Sequence, residues 1–210
     1  MADRLIYVMD PMCSWCWGFA PVVEALAEQA RQAQVPTHVV LGGLRSEQVV
    51  MDDAGRARTL CYWQAVHEAT GQAFHLEGGL PEGLIYDTEP ACRALVTARL
   101  LAPQSVGALL ALIQRAFYVE RRDVTQACVL AELAVEAGLD RKTFATGFDS
   151  LEHRQATRED FAWAQGLGIA GFPTLLAEHN GQLALLTNGY QPLERLAPLL
   201  DRWLGRIACD

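Results

Sequence analysis

The sequence predicts an α/β fold with one sheet drawn from the two ends of the chain and a long helical insertion between them. Three observations predict it. Leu5-Ile6-Tyr7-Val8-Met9 is an apolar run that reads as a strand and leads at once into a turn and a helical pattern. A second strand follows at Thr37–Leu41, and strand signals then return only near the C-terminus, around a hairpin turn at Asn180-Gly181. Between them, apolar residues recur with helical periodicity.

Taken in order, Asp10-Pro11 breaks the first strand. Phe19, Val22, Val23, Leu26, Ala27 and Ala30 then share one helical face. Gly42-Gly43 turns the chain after the second strand. Helical patterns cover 54–70, 90–101, 105–119, 125–137, 143–148 and 151–167. Thr88, Ser105 and Thr125 are N-cap candidates and Gly138 a C-cap. Pro173 stands just before the strand-like Thr174-Leu175-Leu176, and Leu183–Thr187 is the hairpin partner. Leu193, Leu196, Leu199, Leu200, Trp203 and Leu204 mark a closing helix. Proline cannot donate to a ladder, so at a strand start it implies a turn or a cis bond, trans being the commoner isomer.

Cys13-Ser14-Trp15-Cys16 carries the chemistry. It sits between the first strand and the first helix, beside unpaired backbone N–H groups and the positive end of the helix dipole. Both favour thiolate, the reactive form. Two intervening residues on one helical turn let the sulfurs close a disulfide without large backbone movement. Cys13, nearer the helix start, is assigned as the attacking thiol and Cys16 as the resolving one. Arg4 and Arg31 are the only basic residues among the first 31, so the helix terminus must supply most of the activation.

Other readings fit less well. A structural zinc site needs four ligands, and Cys61, Cys92, Cys128 and Cys209 are isolated. Two inert core cysteines would not need this strand-to-helix setting. A thiol hydrolase needs a histidine partner, and none of the five histidines is paired with Cys13 by spacing; a resolving cysteine serves exchange rather than hydrolysis. A non-catalytic binding module has no use for both cysteines. His67 and His75 read as ordinary helix and loop residues, and His38 as a surface residue on its strand. Trp17 reads as core, while Trp15 is divided between core and substrate contact.

A strand–CxxC–helix–strand half and a Gly171-Phe172-Pro173-Thr174 half with its hairpin and helix resemble the two parts of a thioredoxin fold. The long insertion resembles the DsbA branch. The stretch from Asp10 to Gly18, Asp-Pro-Met-Cys-Ser-Trp-Cys-Trp-Gly, and the one from Tyr86 to Ala94 are similar to predicted protein-disulfide isomerases of that branch. The resemblance implies residues 1–45 and 166–210 as a thioredoxin-like domain and 46–165 as an inserted helical domain. It implies a cis Pro173 facing the dithiol, Phe172 on a substrate edge, and Ser14 and Trp15 as substrate contacts. No cofactor beyond the redox disulfide is expected, with glutathione as an optional co-substrate. Glutathione-dependent isomerases and transferases on the same scaffold, such as 2-hydroxychromene-2-carboxylate isomerase, carry serine where Cys13 stands. The chain departs from thioredoxins in having Tyr7 where they hold a buried carboxylate, and Asp10 is read instead as a cap on the turn. Its Ser14-Trp15 dipeptide leaves the direction of electron flow open.

Composition narrows the partners. With 51% hydrophobic and 20% charged residues the chain is globular, and its formal net charge of −8 excludes a basic nucleic-acid stripe. No apolar stretch reaches membrane-span length. The expected partner is a disulfide-containing protein or a small-molecule thiol, with the oligomeric state open. The first strand begins so early that no leader is expected, which points to the cytoplasm. Cys61, Cys92 and Cys128 are expected as buried core thiols and Cys209 as exposed.

Overall fold

The computed structural model describes residues 3–207; Cys209 lies outside them. Two hydrophobic strands start the architecture. β1 (Arg4–Met9) runs parallel to β2 (Thr37–Leu41), and α1 (Ser14–Gln32) joins them. The helix needs to bury Phe19, Val22, Leu26 and Ala30, one face of its periodicity. It lies on the sheet side that carries Leu5, Tyr7, Met9 and Leu41. At the other end of the chain, β5 (Thr174–His179) and β6 (Gln182–Asn188) form a hairpin through Asn180 and Gly181, both with positive φ. β5 pairs antiparallel with β1, Leu5 opposite Ala177 and Val8 opposite Thr174. The sheet order is therefore β2-β1-β5-β6, one sheet from both chain ends.

Between β2 and β5 the chain is mostly helical. Its helices are α2 (Asp53–Thr70), α3 (Glu89–Leu101), α4 (Val106–Tyr118), α5 (Ala127–Glu136), α6 (Arg141–Asp149) and α7 (Leu151–Gly166). α3 is buried continuously from Ala91 to Ala98 and forms the centre of this segment. α7 returns to the sheet and covers its second face, where Ala164 meets Ile6, Val8, Val40 and Leu176. α8 (Leu193–Ile207) closes the chain with Leu196, Leu200 and Trp203 turned inward.

The insertion is not purely helical. β3 (Ser46–Val50) and β4 (Ile85–Asp87) form a separate two-stranded sheet. All five residues of β3 are exposed, so it lacks the buried face that makes a strand readable. The cap expectations also shift. Thr88 and Ser105 occupy N-cap positions without side-chain capping bonds, and the cap of α5 is Gln126, because Thr125 bonds back to Asp123. Cys92 is buried as expected, but Cys61 and Cys128 are exposed. The buried stripe of α2 runs Thr59, Trp63, Val66, and Cys61 lies off it. Cys128 shares the outer face of α5 with Glu132 and Val135.

Two contacts fix the insertion to the sheet edge. The Arg99 guanidinium on α3 pairs with Asp160 on α7 at 2.8 Å and donates to the Val39 carbonyl of β2 at 2.6 Å. The same Asp160 carboxylate accepts the Leu41 backbone N–H at 2.9 Å.

Candidate functional site

The turn after β1 decides where the cysteines sit. Asp10, fully buried, accepts hydrogen bonds from the backbone N–H of Met12 (2.8 Å), the backbone N–H of Leu44 (2.7 Å) and the Thr88 hydroxyl (2.6 Å). The Cys92 thiol lies 3.4 Å from its Oδ2. It thus caps the turn, as the sequence suggests, and also ties that turn to the start of α3. Burial pushes its carboxyl above the usual carboxylate value, and these donors oppose the push. The Tyr86 hydroxyl donates to the Met12 carbonyl at 2.7 Å, holding the turn from a third side. The turn delivers Cys13 to the N-cap of α1 in extended conformation, with its carbonyl accepting from the Cys16 and Trp17 N–H groups.

Cys13 and Cys16 are both free thiols, 6% and 0% exposed. Burial pushes the Cys16 thiol well up, and its hydrogen bond with Cys13 adds to that; the Asp10 backbone N–H pulls the other way. Tyr7 lies beside Cys16 with its hydroxyl unpaired in good geometry, and burial holds its phenol protonated. The carboxylate found at this position in thioredoxins is therefore replaced by a neutral phenol.

The second half of the chain completes the site. The Phe172–Pro173 peptide bond is cis. The Cys13 thiol lies 3.6 Å from the Phe172 carbonyl, so residues 159 apart in sequence meet. Pro173 is buried and Phe172 half-buried. The Phe172 ring turns inward against Gly42, where a Cβ would come within 1.9 Å of it. What Phe172 offers beside the dithiol is its backbone. Ser14 and Trp15 occupy the first turn of α1, both partly exposed. The Trp15 ring meets Tyr190, with centroids 5.8 Å apart. Trp17 stacks on Tyr118 and donates to the Ala73 carbonyl at 2.9 Å, an anchoring role.

The structure thus brings together Cys13, Cys16, Phe172 and Pro173, with Ser14 and Trp15 on the rim. Sequence reasoning read Thr88 only as an N-cap candidate and Cys92 only as a core thiol, and gave Tyr86 and Tyr190 no site role, although all four surround the turn and the rim. The signal for Tyr86, Thr88 and Cys92 was the similarity of the stretch from Tyr86 to Ala94, and Tyr190 carried none. Among the described residues, no group of three or more His, Cys, Asp or Glu could hold a metal ion.

A four-stranded sheet with a dithiol at the N-terminus of α1, opposite a cis proline, defines a thioredoxin-fold protein with a helical insertion. The chain belongs to the DSBA-like thioredoxin domain family, which residues 4–201 match. It is 43% identical to a candidate protein disulfide isomerase from Nitrosomonas europaea, covering 98% of this chain and 99% of that one at a TM-score of 0.90. It is 30% identical to the cytosolic disulfide reductase DsbM from Pseudomonas aeruginosa, covering 98% and 97% at a TM-score of 0.76. That reductase has also been solved with GSH. A curated relative, the ClpXP adapter protein SpxH of Halalkalibacterium halodurans, is 23% identical over 94% of this chain, which spans 66% of that protein's length. No helix among the described residues is long and apolar enough to cross a membrane.

Proposed function

We propose that the protein is a thiol–disulfide oxidoreductase that acts through Cys13 and Cys16. The observation that carries this reading is the Cys13 thiol at the N-cap of α1, 3.6 Å from the Phe172 carbonyl, with Cys16 buried one turn behind it. Cys13, as thiolate, attacks one sulfur of a substrate disulfide and displaces the other as a thiolate. Cys16 then loses its proton and attacks the Cys13 sulfur. The Cys13–Cys16 disulfide forms, the second substrate thiol leaves, and two electrons have passed from protein to substrate. Two molecules of a thiol such as glutathione return the pair to the dithiol. Run in the other direction, the same steps oxidise a substrate.

Phe172, Pro173, Ser14 and Trp15 serve as the substrate contacts. An extended substrate segment pairs with the backbone at Phe172, while Ser14 and Trp15 border the attacking sulfur. The similarity to a cytosolic disulfide reductase solved with GSH supports glutathione as the reducing co-substrate and a cytoplasmic setting. Cys13 speaks against the isomerase and transferase alternative, whose relatives carry serine there.

The test is intermediate trapping. Cys16→Ser, incubated with oxidised glutathione, accumulates a Cys13–glutathione mixed disulfide visible by mass. Cys13→Ser forms none at Cys16 and loses insulin-reducing activity. Full activity of Cys13→Ser refutes the assignment.

A further inference from the structure

In the exchange proposed for Cys13 and Cys16, the resolving thiol has the harder task. Cys16 is buried, so its sulfur gains little from solvent. To attack the mixed disulfide it must carry negative charge, and burial opposes that charge. Asp10, buried nearby, opposes it further. At that stage the Cys13 sulfur is bonded to substrate and has no proton to share. The Asp10 backbone N–H favours the charged form. A second donor within reach is the Tyr7 hydroxyl. Tyr7 sits on β1, paired with Val39 of β2 on one side and Leu175 of β5 on the other. Its ring meets that of Phe19, with centroids 6.0 Å apart. Phe19 follows Cys16 by three residues on the buried face of α1. The packing that holds the Tyr7 ring therefore also sets its hydroxyl beside the Cys16 sulfur.

That hydroxyl is uncommitted in the reduced protein. It is buried and has no partner in good hydrogen-bond geometry, whereas buried polar atoms normally find one. A neutral thiol is a weak acceptor and a thiolate a strong one. Protonated Cys16 thus leaves the donor idle, and the thiolate engages it. Tyr118 carries another unpartnered phenol, which acts on the sulfurs through charge alone, whereas Tyr7 reaches Cys16 at hydrogen-bonding range. We propose that Tyr7 is a catalytic residue of the resolving step, donating its phenol O–H to the Cys16 sulfur while that sulfur carries negative charge. The role rests on the exchange reaction at Cys13 and Cys16. Cys16 attacks the Cys13 sulfur, the Cys13–Cys16 bond forms as the Cys13–substrate bond breaks, and the proton lost by Cys16 ends on the departing substrate thiol. Tyr7 keeps its own proton, since burial holds the phenol protonated. In reverse, the same O–H meets Cys16 as it leaves as a thiolate.

Mixing the reduced full-length protein with oxidised glutathione, acid-quenching at intervals and weighing the products separates the two steps. Attack by Cys13 makes the glutathione mixed disulfide, mapped to Cys13 by peptide mass. Attack by Cys16 then converts it to the Cys13–Cys16 disulfide and releases glutathione. Tyr7→Phe keeps the ring against Phe19 and removes only the donor. It should form the Cys13 adduct at the wild-type rate, accumulate it above the wild-type level and close it about tenfold or more slowly, the effect of one hydrogen bond to a charged group. The urea midpoint of the reduced variant should not fall, because the hydroxyl removed has no partner there. No greater accumulation of the adduct than in wild type, or both steps slowed alike, overturns the role of Tyr7 and leaves the exchange reaction standing. A wild-type protein that never closes the pair overturns the exchange reaction and the role of Tyr7 with it, so the two failures are told apart.

Discussion

One helical turn separates two cysteines with different surroundings. Cys13 keeps a small opening to solvent, while Cys16 keeps none and its thiol is pushed well above the usual 9.0 by burial and by Cys13. The sign follows. A thiol with a raised folded-state pKa stabilises the fold below its unfolded value, and that contribution falls as pH rises above it. In the native reduced protein at pH 8, iodoacetamide should therefore label Cys13 and the exposed Cys61 and Cys128, and leave Cys16 and Cys92 unlabelled; peptide mass mapping reads the result. Labelling of Cys16 as fast as Cys13 would contradict the buried-thiol assignment. The CxxC pair is legible in sequence because its context is local, a strand, a turn and a helix. The Asp10 web is not, because Leu44, Thr88 and Cys92 lie 34, 78 and 82 residues away. The exposure of Cys61 and Cys128 was also hidden, since a residue type does not tell which helical face it occupies.

The elements were legible where they bury a face. β1, β2, the β5–β6 hairpin and the helices follow apolar periodicity, and their bounds lie close to those read from sequence. β3 and β4 were missed because β3 is exposed throughout and β4 is three residues long. The joint after β2 matters most for the site. Gly42 leaves room for the Phe172 ring, whose own carbonyl meets Cys13. Gly42→Ala forces that ring to move, and overpacking of this kind costs about 1–3 kcal/mol. The variant should show a lower urea midpoint together with slower insulin reduction. An unchanged midpoint and rate would mean that the Gly42–Phe172 contact does not position the site.

At the scale of the molecule, the sheet and the helical segment are held together at the β2 edge by Arg99 and Asp160. Both side chains are largely buried, and Asp160 also holds the Leu41 N–H. Asp160→Ala strands a buried guanidinium and a backbone donor, a loss on the order of 3–5 kcal/mol. Urea unfolding should show it as a lower midpoint with an unchanged slope. A loss below about 1 kcal/mol would show that the pair behaves as a surface contact. Sequence could place the insertion but not its attachment, because Arg99 and Asp160 stand 61 residues apart on two different helices.

The central claim is that Cys13 and Cys16 form one two-electron couple. Equilibrating the protein across a range of reduced to oxidised glutathione ratios, then acid-quenching and weighing it, tests this most directly. A single transition to a form two hydrogens lighter, with the disulfide mapped to Cys13–Cys16 and lost in either single serine variant, is the predicted result. A pair that stays dithiol at every ratio, or a disulfide that maps to other cysteines, would contradict the account.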